Sequence, residues 1–158
     1  MPELRKTACY RGYASVGLTM KITSLIIDWY DCGLCCGDSM VHEKTTVYRN
    51  RSTIKIQQYN GYKDLLDESE YRVAQNGIEE LFLLLERMET KDSWRSDYRV
   101  KVCDGWSWEA RIRFEDKTIK LVEGTVDLPP NGKKIAKIIH ALLEDAMCLI
   151  EPHLFGRD

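Results

Sequence analysis

No apolar run in the chain approaches the ~20 residues needed to span a bilayer, so a helical membrane anchor is not expected. Residues 1–19 carry Arg5, Lys6 and Arg11 with no continuous apolar core behind them, which does not fit a secretory signal. With neither feature present, the cytoplasm is the expected compartment. A basic surplus is also missing. Lys and Arg number 23 against 25 Asp and Glu, giving a net charge of −2. A dedicated DNA binder draws its affinity from a surplus of cations, so nucleic acid is not an expected partner. Regularly spaced cysteine pairs are lacking too. The six cysteines fall at 9, 32, 35, 36, 103 and 148, two of them adjacent. A small disulfide scaffold would be denser and more regular, and reduced thiols are expected. No G-x-S-x-G, H-E-x-x-H, P-loop or G-x-G-x-x-G occurs. The motifs therefore indicate no enzyme class, and no cofactor is expected.

What the 158 residues do contain is clear hydrophobic periodicity. The pattern begins after Met20. Residues 1–19 are read as an N-terminal extension and residues 20–158 as a single domain. Ile22–Tyr30 has apolar residues on both alternating faces, as in a central strand covered in part on two sides. Lys44–Arg49 and Thr53–Tyr59 read as strands around the turn Asn50-Arg51-Ser52. Asp64–Ser69 is acidic and reads as a loop, with a short strand over Tyr71–Ala74. A helix is expected from a capping box of Asn76 and Glu79 to about Thr90. Its buried stripe is Ile78, Leu81, Phe82, Leu85 and Met88.

The second half follows a similar plan. Tyr98, Val100 and Val102 alternate with Arg99 and Lys101, and Asp104-Gly105 is a strong hairpin signal. Trp106, Trp108, Ala110, Ile112 and Phe114 occupy every second position of the next strand and should share a core with the first helix. Thr118–Val122 forms a further strand. A last helix follows Pro130 and Asn131, with Ile135, Ile138, Ile139, Leu142 and Ala146 buried. Two β-β-β-α-like halves result. The fold class is α+β, an antiparallel sheet with helices packed on one side.

The run Asp104-Gly105-Trp106-Ser107-Trp108, then Gly124, Pro129 and a helix, resembles a module of small uncharacterised proteins of gut Firmicutes. The resemblance is specific over about residues 104–143, although Lys117 stands where a glycine is expected. No activity is attached to that family, so the resemblance implies no catalytic residues. The absence of catalytic motifs, the small size and the large residues on both faces of some elements lead to the expectation of a non-enzymatic binding or regulatory protein acting through protein–protein contacts. The resemblance, to genes common in mobile elements, implies an inhibitor or immunity type.

Three groups of side chains are candidates for function. Cys32, Cys35, Cys36 and His42 form the one cluster with metal-ligand spacing, completed if the fold adds Cys9 or Cys103. A second Cys pair is missing, and no stoichiometric zinc is expected. Arg99, Lys101, Arg111, Arg113 and Lys120 could share one sheet face with Tyr59 and Tyr98, as a binding ladder or a nucleic-acid platform. Glu109 and Glu123 on the same strands weaken the second option. Leu83 and Leu84 fall off the buried stripe of the first helix and suggest a contact with another protein or a second copy, unless residues 1–19 or the loop Tyr62–Tyr71 cover them. His140 is placed on the polar side of the last helix, and His153, beyond Pro152, is expected to face solvent.

Overall fold

The computed structural model describes residues 20–31, 37–91, 94–101 and 105–156. Seven strands and two helices are described: β1 (Ile22–Asp31), β2 (Met40–Tyr48), β3 (Thr53–Asn60), β4 (Leu65–Arg72), α1 (Gln75–Lys91), β5 (Asp97–Tyr98), β6 (Trp106–Phe114), β7 (Ile119–Gly124) and α2 (Gly132–Asp145). The strands form one mostly antiparallel sheet in the order β4-β3-β2-β1-β6-β7-β5. Both helices cover the same face. The fold is α+β, as the alternation of strands and amphipathic helices dictates.

The core forms where the period-2 stripes of the strands meet the 3.6-period stripes of the helices. Leu25, Ile27, Val47, Ile54, Ile56, Trp108, Ala110 and Ile112 come from the sheet, and Ile78, Leu81, Phe82, Leu85, Ile135 and Ile139 from the helices. Trp106 and Phe114 are half-buried at the margin of this cluster. Trp108 lies flat against Gly124. A Cβ there would sit 2.3 Å from its ring, so only glycine permits the approach. Its indole N–H donates to the Asp127 carbonyl at 2.8 Å. Trp108, packed on Gly124 and bonded to the Asp127 carbonyl, therefore anchors the chain that leads into α2.

Arg49, buried at the β2–β3 turn, ties α1 to the sheet. Its guanidinium donates twice to Glu79 at 2.9 Å, to Glu86 at 2.6 Å and to the Ile22 carbonyl at 2.9 Å. The bidentate geometry is the strong form of this pair. Glu79 is thus engaged by Arg49, and the expected capping box does not form. The helix begins at Gln75, and Asn76 Oδ1 instead accepts from the next residue, Gly77 N, at 3.0 Å.

Several expectations are corrected. Residues 65–72 are a strand, not a loop with a short strand after it. β4 is a sheet edge exposed along most of its length, with only Tyr71 packing against the core, so little apolar alternation is required, and its acidic side chains discourage further pairing. The first section accordingly has four strands. In the second, Val100 lies outside any strand and Val102 outside the described residues. The two-residue β5 runs parallel to β7, pairing Tyr98 with Gly124, instead of forming a hairpin with β6. Thr125 Oγ1 fixes this edge by bonding both Val100 N and Val100 O. β1 is not covered on two sides by described elements. A bulge between Ile22 and Ser24 brings Ile22 into the helix-covered core, while Ile26 stays half-buried on the other face.

Candidate functional site

Among the described residues, no element lies on the second face of the sheet. Register identifies its occupants. Ser24, Ile26, Asp28 and Tyr30 of β1 sit beside Tyr48, Thr46, Lys44 and His42 of β2, and beside Arg113, Arg111, Glu109 and Ser107 of β6. β7 adds Ile119 and Leu121, opposite Arg113 and Arg111. β3 adds Tyr59, opposite His42.

Asp28 organises the centre of this face. It is an acid set between Ile27 and Trp29, and its side chain is only 1% exposed. Its Oδ1 accepts from His42 Nε2 at 2.7 Å, and its Oδ2 accepts from Arg111 Nη2. Burial disfavours the carboxylate, but the bonds from His42 and Arg111 outweigh burial and hold its pKa below the ordinary value. Directly opposed positions on three strands stack Tyr30, His42 and Tyr59, with ring centroids 4.4 and 4.9 Å apart. Burial and then the charges of Asp28 and Glu109 push the Tyr30 hydroxyl up to about 12, so it is a neutral hydrogen-bonding group at physiological pH. Beside this paired centre, Ile119 and Leu121 are 51% and 44% exposed, next to the exposed Arg113. The face thus joins an apolar edge to a centre of interlocked charges and rings. It can dock a broad, partly apolar surface.

The structure separates the candidate residues. Arg111 and Arg113 lie together on the open face. Lys120 pairs with Ile112 and belongs to the helix-covered face, and Tyr98 is buried against Trp108. Arg99 and Lys101 follow β5 outside any strand, and Arg99 is held by Asp97 at 2.8 Å. No five-cation ladder forms. Leu83 is 53% exposed on the outer side of α1, whereas Leu84 is buried. The Tyr62–Tyr71 segment, being mostly edge strand, leaves Leu83 exposed. His42 faces Asp28 and two tyrosines. Its proposed co-ligands Cys32, Cys35 and Cys36, like Cys9 and Cys103, lie outside the described residues. Among the described residues, no group of three or more His, Cys, Asp or Glu is placed to hold a metal ion.

His153 overturns its expected exposure. It is buried on the covered face, where its N and Nδ1 donate to Glu43 Oε1 at 2.6 and 3.0 Å. Its ring stacks on Trp29 at 4.0 Å. Burial disfavours the Glu43 carboxylate, but bonds from His153 and Gln58 more than compensate and lower its pKa. His140 is half-buried and donates to the Pro152 carbonyl at 2.9 Å, so both histidines fasten the segment after α2.

Sequence reasoning did not single out Asp28, Tyr30, Ile119 and Leu121. Asp28 carried a usable signal, since an acid within an apolar central strand must find a buried partner. No protein-family model matches the chain, and no curated protein matches it. No helix among the described residues is long and apolar enough to cross a membrane.

Proposed function

We propose that this is a non-enzymatic binding or regulatory protein whose open sheet face engages another protein, as an inhibitor or immunity-type protein would. The supporting observation is the exposed Ile119–Leu121 edge beside Arg113, continuous with the Asp28–His42–Arg111 centre. Strand spacing of about 4.8 Å and a rise of about 3.3 Å per residue make the central five strands roughly 20 Å across the sheet and about 20–30 Å along it. That is the scale of one side of a standard protein interface. The charges at the centre are neutralised before a partner arrives, so docking does not require stripping water from an unpaired ion. The apolar edge then supplies the driving force.

The test is affinity capture from the native cell, using wild type and a Leu121→Asp/Arg113→Glu variant with unchanged circular dichroism. Wild type should retain one stoichiometric protein that the variant loses. Equal capture by both, or retention of nucleic acid in place of protein, would refute the proposal.

A further inference from the structure

We propose that the outer side of α1, opposite the open sheet face, is the isologous contact of a two-fold dimer of this chain, with antiparallel α1 helices crossing at Leu83. This inference is independent of the reading of the open face. Asn76, Glu80, Leu83 and Arg87 are exposed and recur at spacings of four, three and four residues, so they form one stripe along the helix. Leu83 is 53% exposed at its middle. Beside it, Leu83, Leu84 and Ile138 line a surface hollow of about 560 Å³ between α1 and α2, with Glu80, Arg87 and Lys134 at its rim. A half-exposed leucine next to a hollow of that size supplies both a knob and a hole on one surface, which self-association requires.

The charge order selects the occupant. A point midway between Leu83 and Leu84 is equidistant from Glu80 and Arg87, about 5 Å along the axis from each. A two-fold axis through that point reverses the second helix. It places Glu80 of each copy opposite Arg87 of the other, on both sides of the leucine contact. A parallel approach would instead oppose Glu80 to Glu80. The stripe is therefore complementary to its own reversed copy, as an isologous interface must be. Arg87 has five donors in its guanidinium, so contacts within the chain are compatible with a bond across the axis.

Light scattering after gel filtration, over a dilution series of the full chain, tests the proposal. Wild type should be a dimer, and Leu83→Glu a folded monomer. Glu80→Arg and Arg87→Glu each set like charges against one another across the axis and should weaken the dimer about tenfold or more. The double variant Glu80→Arg/Arg87→Glu inverts both partners and should regain close to wild-type affinity. That recovery separates a specific contact from general damage, and circular dichroism with urea unfolding confirms that each variant folds. A monomeric wild type would overturn the proposal and leave α1 to a different protein. Single charge reversals without effect, or a double variant no better than the singles, would overturn it as well.

Discussion

The two faces of the sheet each bury one carboxylate and use it differently. Glu43, on the covered face, holds the far end of the chain: it takes the backbone N–H and the ring of His153, more than a hundred residues away. Asp28, on the open face, holds its near neighbours, His42 on one adjacent strand and Arg111 on the other. Both side chains are 1% exposed. Around Glu43 the main partner, His153, is itself buried while Gln58 is half-buried, and His153 Nε2 and Trp29 Nε1 are left without hydrogen bonds. Around Asp28 the partners reach water in part, His42 at 22% and Arg111 at 33% side-chain exposure, although Arg111 Nε is buried without a hydrogen bond. The same chemical group therefore closes the fold on one side and arranges a surface on the other. What differs is whether its partners have an alternative in solvent.

That difference ranks the expected damage. Trp108→Ala removes the largest fully buried side chain, packed on Gly124, Tyr98 and Phe155, and should cost about 3–5 kcal/mol in urea unfolding. Glu43→Ala leaves the His153 N–H buried without an acceptor and should cost about 3 kcal/mol. Hydrogen exchange should show the His153–Gly156 segment losing protection before the sheet does. Asp28→Asn should cost less, about 1–2 kcal/mol, because His42 and Arg111 can turn to water. A larger loss from Asp28→Asn than from Glu43→Ala would break the comparison. Leu121→Asp, on the open face, should change stability by no more than about 0.5 kcal/mol.

Acid sharpens the same contrast. Both carboxylates have native pKa values below their ordinary 3.8 and 4.5. The stability they contribute is complete above those ordinary values and is lost as the pH falls through the lower native ones. Unfolding free energy should decline steeply below about pH 4, and Asp28→Asn should flatten part of that decline. An unchanged slope in this variant would mean that Asp28 is not held ionised by its neighbours.

Local periodicity made much of this fold legible. β6 was readable because Trp108, Ala110 and Ile112 alternate with charged residues and all three are buried. The α1 stripe was readable for the same reason at period 3.6. β4 was not, because an edge strand exposed over most of its length, with only Tyr71 against the core, has little burial to write into its pattern. The partner of β5 was hidden because Tyr98 pairs with Gly124 of β7 and passes over the nearer strand β6, a choice made by tertiary packing over a local Asp-Gly turn signal. The site was legible in part. Arg111 and Arg113 follow from alternation along β6, but their neighbours on β7 and β1 depend on strand order, which the sequence pattern does not specify. His153 resisted for the same reason: its acceptor is on β2, and nothing near Pro152 announces it.

The open sheet face is the surface proposed to meet another protein. It is tested most directly by placing a photo-crosslinking amino acid at position 121 in the native cell, with position 149, on the 98% exposed Leu149, as the control. One discrete adduct with a different protein is expected from position 121 and none from position 149. No adduct at 121, or the same diffuse set of adducts from both positions, would contradict it.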